Sequence, residues 1–232
     1  MPCRGEEYVY REYLTYRLLQ KLTPYSFKAR LARVTFGNAD GDKSTNPILG
    51  ILLEDEDAMA QRIGGEIVKD GIFKPSSFTQ EDFLLMASLQ FLIGNTDWST
   101  EYRQNIKIVK TDEKILAIPY DFDHSGLVYA PYAQPAEALE LESVRDRRYR
   151  GYCLENPEQF QPIIDYFNKM REDVYSLYIE NTMLKKGYQK STLRFLDDFY
   201  AIINDPEDFT DTFGYPCKAN NTSNVIIKGL KE

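Results

Sequence analysis

The chain has 232 residues, 43% of them hydrophobic, and a formal net charge of −8. This length suits one domain or two small lobes around a real core. The acidic balance disfavours binding to nucleic acid or anionic lipid, since their phosphates attract basic surfaces. No apolar run reaches the roughly 18 residues that a membrane span requires, so no transmembrane segment is expected.

The N-terminal residues show no apolar core of a signal peptide, and a mature secreted protein would look the same. Cys3, Cys153 and Cys217 match no zinc or redox spacing, and His124, the only histidine, excludes multi-histidine metal sites. The odd number of cysteines favours a reducing compartment, with one disulfide plus a free thiol as the alternative. We therefore expect a soluble protein, either cytoplasmic or secreted after signal removal.

The first predicted element is a helix over residues 6–22, where apolar residues recur at helical spacing and Thr23-Pro24 ends the pattern. Residues 27–36 and 48–53 then predict two strands of a hairpin, joined by a turn-rich segment. An acidic run begins at Glu54 and leads into a short helix that ends near Gly64.

Thr79 and the acidic residues after it predict the start of a second long helix, which is apolar nearly all round and therefore buried. Residues 105–109 and 115–118 predict a second hairpin. Residues 156–204 predict two long helices with a break near Gly187, and the tail beyond Pro206 is predicted to be irregular.

This order of elements predicts an α+β fold in two parts. Residues 1–65 form a small part, a helix plus a β-hairpin, and residues 66–232 form a larger, mainly helical part that contains the second hairpin. The acidic linker is the expected boundary between the two parts.

The candidate chemistry lies between the buried helix and the end of the second hairpin. Asp97 and Asn105 fall in a polar loop, and the last strand runs into the segment PYDFD, which contains Asp121 and Asp123. Loop and strand-end oxygens of this kind are the ligands that Mg²⁺ prefers, and phosphoryl transfer needs such ligands plus a carboxylate near the acceptor.

This pattern, GNTDW followed by Asn105, a hairpin and PYDFD, resembles the catalytic and metal-binding segments of kinase-like proteins. It is most similar to the atypical family around the spore-coat kinase CotH, and more remotely to HipA and the lipid kinases. The resemblance covers residues 6 to about 150 and implies a protein-kinase-like fold, with a partial N-lobe (residues 1–65) and a larger C-lobe (residues 66–232).

The resemblance implies a role for each candidate residue. Asp97 would be the catalytic carboxylate, and Glu12 would be the helix glutamate that pairs with a nucleotide-binding lysine, with Glu7 as second choice. Apart from the resemblance, the acidic run at Glu54 could be a solvated face or a hinge that frames an adenine pocket, and Arg30, like Arg33, could bind phosphate from the first hairpin. The implied ligands of Mg²⁺ or Mn²⁺ are Asn105, Asp121 and Asp123. The implied partners are ATP and a protein or small-molecule acceptor.

Two features depart from the family pattern. Seven residues separate Asp97 from Asn105, where conventional kinases have four, and neither a Gly-rich phosphate loop nor a lysine-bearing strand precedes the first helix. The sequence therefore suggests either a trimmed fragment or a degenerate, catalytically inactive kinase-like binding module.

Ordinary structural roles remain open for the same residues. Asp97 could cap its loop, Asn105 could be a turn residue, and Asp121 with Asp123 could form an Asx turn. The arginines of residues 143–152 suit phosphate binding, with surface ion pairing as the alternative. A metal-dependent phosphatase or nuclease would use the same carboxylates, but it usually needs more acids and histidines.

Overall fold

The computed structural model describes residues 5–38, 46–152 and 156–214. Within these ranges the chain forms seven α-helices and two small antiparallel sheets, so the predicted α+β class is confirmed. Three short 3-10 turns, Pro75–Ser77, Glu137–Leu139 and Pro157–Phe160, connect some of these elements. All three cysteines lie outside the described residues, and the expectation for their redox state stays a prediction.

Helix α1, Glu6–Leu22, has the predicted bounds. Its first turn carries acidic side chains and its last turn carries Lys21, the charge order that stabilises the helix dipole. Leu18 and Leu22 are almost completely buried in the core. One face of α1 is thereby fixed against the body of the protein, and the helix also packs on the first hairpin.

The first hairpin consists of β1, Ala29–Val34, and β2, Ile48–Leu53. Alternate side chains of a strand point to opposite faces, and here only one face meets the protein. Ile51 packs against the core, whereas Ile48 and Leu52 are 40% and 54% exposed. The hairpin therefore stands out from the body with a partly apolar outer face.

A short helix, α2, Glu56–Arg62, follows the acidic run as predicted, and the Asp55 side chain accepts hydrogen bonds from two N–H groups of its first turn. The next strand, β3, Gly65–Ile67, was not predicted, because three residues are too few to show a periodic pattern. β3 is an outer strand of a three-stranded sheet, in the order β3-β4-β5, with β4 at Ile106–Thr111 and β5 at Ile115–Pro119.

Helix α3, Gln80–Ile93, is buried on nearly every side, as its composition predicts. Thr79 caps its N-terminus, and Gly94 ends it in the left-handed conformation with φ 66°. Arg147 donates from Nε to the Phe91 carbonyl and from Nη2 to the Leu92 carbonyl. The Arg147 guanidinium therefore binds the C-terminal carbonyls of α3, at the negative end of the helix dipole. Burial lowers the pKa of Arg147 to about 9.

The C-terminal region corrects two predictions. The first of the two long helices is divided at Met170 into α4, Gln161–Lys169, and α5, Arg171–Ser176, whereas Gly187 lies inside the next helix. That helix is α6, Lys186–Asn204. The irregular tail predicted beyond Pro206 is wrong as far as Phe213, because Asp205 caps an eight-residue helix, α7, Pro206–Phe213.

The buried apolar side chains form one continuous cluster that reaches from α1 to α7. Aromatic rings fill much of it; Phe91, for example, packs edge-on against Phe213 at a centroid distance of 5.2 Å. Over the ranges that the structure describes, no helix is both long and apolar enough to cross a membrane. This core fixes α1, α3 and the three-stranded sheet around the candidate site.

Candidate functional site

Asp97 and Asn105, at the two ends of the loop after α3, are hydrogen-bonded to each other. The Asn105 amide donates from Nδ2 to Asp97 Oδ2 at 3.0 Å and to the Asp97 carbonyl at 2.9 Å. The Asp97 N–H in turn donates to Asn95 Oδ1, and Asp97 is only 5% exposed. Asn105 has φ 51°, a left-handed conformation that asparagine tolerates better than most residues. The carboxylate of Asp97 is therefore held in a fixed position.

The second hairpin brings Asp121 to the same place. Ile106 pairs with Pro119 at its open end, and the Tyr120 N–H donates to the Asn105 carbonyl at 3.1 Å. Asp121 follows with φ 59°, and its N–H donates to the hydroxyl of Tyr16 at 2.9 Å. Because Tyr16 belongs to α1, the start of the PYDFD turn is anchored to that helix.

The electrostatics of Asp121 also reflect this arrangement. Partial burial raises its pKa, and the negative charges of Asp123 and Asp97 raise it further, while His124 acts in the opposite direction. Asp123 accepts a hydrogen bond from the Tyr132 hydroxyl at 3.0 Å. Three carboxylates therefore interact electrostatically around one turn, an arrangement that a cation would stabilise.

Asp121 lies at the edge of a cleft of about 450 Å³ between α1, the first hairpin and the end of β5. Glu12, which is 9% exposed, lines the same cleft from α1. The hairpin contributes an apolar wall. The residues that line the cleft are Val9, Glu12, Tyr16, Val34, Phe36, Ile48, Leu49, Gly50, Ile51, Leu53, Tyr120 and Asp121.

Glu54, predicted at an adenine-binding hinge, is engaged elsewhere. Its two carboxylate oxygens accept hydrogen bonds from Arg62 at 2.8 Å each, and Oε2 also accepts from the Lys28 N–H at 2.9 Å. The hydrogen bond with Arg62 lowers the pKa of Glu54. Glu54 does not line the cleft and instead joins the end of β2 to α2.

Neither Arg30 nor the second-choice Glu7 reaches the cleft. Arg30 is exposed on β1, opposite Leu52. Glu7 forms ion pairs with Arg11 and Lys185 on the surface of α1. The structure thus brings together Asp97, Asn105, Asp121 and Asp123, with Glu12 in the adjoining cleft, and leaves Glu54 and Arg30 outside.

The loop that carries Asp97 is held by a residue to which sequence reasoning gave no such role. Arg150 is 5% exposed and donates from Nη1 to the carbonyls of Thr96 and Trp98, at 2.7 Å each. These are the residues on either side of Asp97, and the guanidinium also stacks on the Trp98 ring at 4.7 Å. Arg150 and Arg147 both bind carbonyl oxygens, a role that was not considered for these arginines. No pattern in the sequence pointed to this contact.

The oxygen atoms around the turn are of the types that hard divalent cations prefer. Asp121 and Asp123 supply carboxylates and Asn105 supplies an amide oxygen, a set of the kind that Mg²⁺ takes together with phosphate oxygens and water. In the part of the chain that the structure covers, no three Asp, Glu, His or Cys side chains form a complete metal-binding group. The fit therefore depends on the amide and on oxygens from a ligand.

Comparison with known proteins gives no significant match to a family model, to a curated protein or to a solved structure.

Proposed function

We propose that this chain is a kinase-like phosphotransferase domain that uses Mg-ATP to phosphorylate a hydroxyl group of a protein or small molecule. The observation that supports the proposal best is the meeting of Asp97, Asn105 and Asp121 next to a cleft of suitable size. In this proposal residues 1–65 would be the partial N-lobe of the resembled family, and residues 66–232 would be its C-lobe.

Each residue has a role in this proposal. Asp97 orients the acceptor hydroxyl and accepts its proton, and the Asn105 amide keeps that carboxylate in position. Asp121, Asp123 and the amide oxygen of Asn105 would hold Mg²⁺ or Mn²⁺, which when bound neutralises phosphate charge. Glu12 contributes a carboxylate to the wall of the nucleotide cleft, where the family pattern pairs it with a lysine.

A second candidate function is a non-catalytic binding module on the same scaffold. No lysine or arginine is among the described residues that line the cleft, and most of the hairpin wall is apolar. A protein that binds a nucleoside triphosphate usually has basic groups near the phosphates. On this alternative, an apolar ligand or a partner segment takes the cleft, and the carboxylates have a structural role only.

Binding of Mg-ATP, followed by isothermal titration calorimetry, tests the first proposal. Asp121→Ala removes a metal ligand and is expected to weaken binding about tenfold or more, since hydrogen bonds and contacts to charged groups are worth roughly 1.5 to 3 kcal/mol. Asp112→Ala, at an exposed position in the β4–β5 turn, is the matched control and should bind as the unchanged protein does.

A measurement of ATP hydrolysis distinguishes catalysis from nucleotide binding. Slow hydrolysis of ATP, with water as acceptor, is expected to fall about 100-fold or more in Asp97→Asn while Mg-ATP affinity is kept, because only the proton acceptor is lost. If the unchanged protein neither binds Mg-ATP nor hydrolyses it, the phosphotransferase proposal is wrong and the binding module is the better reading.

A further inference from the structure

A second cavity, of about 380 Å³, lies beside the candidate site and shares one lining residue, Tyr120, with the cleft that contains Asp121. The loop between α3 and β4, which carries Asp97, contributes two lining residues, Tyr102 and Arg103. The remaining walls come from α2, from the end of β3 with the two residues after it, and from β4. A ligand in this cavity is therefore next to the loop that holds the proposed proton acceptor.

Basic residues outnumber acidic ones around this cavity. Lys69, Arg103 and Lys107 line it, and Glu56 is the one carboxylate among its described lining residues. The cleft at Asp121 has the opposite balance, with two carboxylates and no basic residue among those that the structure describes. Because the whole chain has a net charge of −8, the cavity is a local concentration of positive charge on an acidic protein.

The single carboxylate is paired with one of the three basic side chains. Lys107 Nζ lies 2.5 Å from Glu56 Oε2, and this hydrogen bond raises the pKa of Lys107, so the lysine is charged at neutral pH. The same Nζ lies 5.2 Å from the centre of the Tyr120 ring. Both partners of Lys107 line the cavity, so its side chain belongs to this wall. Lys69 and Arg103 are then the two positive charges in excess.

These two residues meet at one wall of the cavity. Arg103 Nη1 donates to the Lys69 carbonyl, the one hydrogen bond that its side chain makes within the described ranges. Neither Lys69 nor Arg103 forms a salt bridge with a described residue. Arg103 also has φ 54°, an uncommon backbone conformation for arginine that is found most often at functional sites. Most donors of this guanidinium are therefore available to an oxyanion.

The exposure of the cavity favours an extended chain segment as its ligand. Small-molecule sites bury roughly 70 to 90% of their ligand, whereas Lys69, Tyr102 and Arg103 are exposed. The basic residues also come from three parts of the chain: the residues after β3, the loop that carries Asp97, and β4. An extended segment advances about 3.3 Å per residue, so successive acidic side chains can reach separate cations.

We propose that this cavity is the docking site for an acidic protein segment, whose glutamate or aspartate side chains bind Lys69 and Arg103 and whose serine or threonine hydroxyl lies next to Asp97. This inference rests on the proposed phosphotransferase function and names the class of its acceptor. The negative charge of the rest of the protein repels such a segment elsewhere, and the local positive charge therefore selects this place.

Fluorescence anisotropy without nucleotide tests the docking, with labelled serine peptides whose flanking residues are glutamate, glutamine or lysine. The glutamate peptide should bind at least about tenfold more tightly than the glutamine peptide, because only the former makes charge-assisted hydrogen bonds. The difference should shrink as the salt concentration rises, since the charges are exposed. Equal binding of the peptides, no binding, or preference for the lysine peptide overturns the proposal. Inorganic phosphate that displaces the glutamate peptide at equal concentration identifies a small-anion site and also overturns it.

Lys69→Glu locates the binding, and Lys190→Glu is its matched control. Both substitutions make the same change in net charge at exposed positions, but Lys190 lies on α6 and does not line the cavity. Lys69→Glu should weaken the glutamate peptide about tenfold, and Lys190→Glu less than about twofold. Arg103→Gln, which removes the other excess charge, should weaken it about fivefold. Equal effects of the two lysine substitutions contradict the proposal.

Calorimetry with Mg-ATP keeps this result separate from that of the proposed function. Lys69→Glu should leave the Mg-ATP affinity unchanged, because Lys69 does not line the cleft at Asp121. If Mg-ATP binds but the glutamate peptide is not preferred, the docking site alone is refuted. If peptide binding depends on Lys69 and Mg-ATP does not bind, the docking site is supported and the phosphotransferase proposal is refuted.

Discussion

The position of Asp121 raises the pKa of its side chain. Partial burial, together with the charges of Asp123 and Asp97, raises its pKa, so the ionised form is less favourable in the folded protein than in the unfolded chain. For a carboxyl group this sign means that the folded protein loses stability as the pH rises from the unfolded pKa, about 3.9, through the raised value.

Asp121→Asn should therefore stabilise the protein at neutral pH. Asparagine also tolerates the left-handed backbone at this position, where φ is 59°. The gain should be below about 1 kcal/mol because the carboxylate is only partly buried and solvent screens its charge, and it should disappear below about pH 4. Urea unfolding of both proteins at several pH values measures the difference.

The exposed turn residue Asp112 supplies the control for this measurement. Asp112→Asn should change the free energy of unfolding less than Asp121→Asn does, because Asp112 is exposed and lies outside the candidate site. A destabilised Asp121→Asn protein, or a gain of the same size at pH 3 and pH 7, would show that carboxylate repulsion is not present at the turn.

At the scale of elements, the loop after α3 depends on a segment more than 50 residues further along the chain. Arg150 binds the carbonyls on both sides of Asp97, and Thr96 and Trp98 are themselves buried. Water cannot easily replace these hydrogen bonds. The segment that carries Arg150 therefore sets the position of Asp97.

Arg150→Lys should destabilise the protein by about 2 to 4 kcal/mol, because a single ammonium group cannot replace a stacked guanidinium that binds two buried carbonyls. ATP turnover of the protein that remains folded should fall more than Mg-ATP affinity, since Asp97 is displaced and Asp121 is not. Thermal unfolding and turnover at 10 °C below the midpoint give the two values.

Arg171 provides a matched stacked arginine away from the loop. It lies over the Tyr200 ring at 4.8 Å and is exposed, so Arg171→Lys should cost less than about 1 kcal/mol and leave the ratio of turnover to affinity unchanged. Equal effects of the two substitutions would argue against a positioning role for Arg150.

Clear helical periodicity allowed α1 and α3 to be predicted. α1 and α3 have clear start and stop residues, and their predicted bounds agree with the structure. β3 has only three residues and is defined by its pairing with β4, which no local pattern reveals. The chain beyond Pro206 was predicted to be irregular, although proline after a capping aspartate favours a helix start.

The candidate site shows the same division between local and distant information. Asp97, Asn105 and PYDFD were predicted to lie together, and they do, because the hairpin between Asn105 and Asp121 forms from residues that are close in sequence. The partners of Glu54 and Arg150 are set by tertiary packing, and residue type alone does not identify them. Glu54 was thus expected beside a nucleotide, whereas the structure pairs it with Arg62.

At the scale of the whole molecule, the apolar cluster unites α1 with the C-terminal helices, and the first hairpin contributes little to it. The buried aromatic rings and the arginines that bind main-chain carbonyls lie in the body, while the hairpin offers exposed apolar side chains. Most of the resistance to unfolding should therefore come from the body. Leu52, which does not line the cleft, can be altered without disturbing Asp97 or Asp121.

The outer face of the hairpin also has a consequence for how the protein behaves at high concentration. Within the described residues the sheet has only two strands, so β1 has a second edge without a strand partner that another molecule can extend, and Leu52 adds an apolar contact. Leu52→Glu places a carboxylate opposite Arg30 and should raise the solubility limit with less than about 0.5 kcal/mol change in stability. Ile179→Glu, at an exposed apolar position outside any strand, should raise the solubility limit less. Light scattering while each protein is concentrated measures the difference.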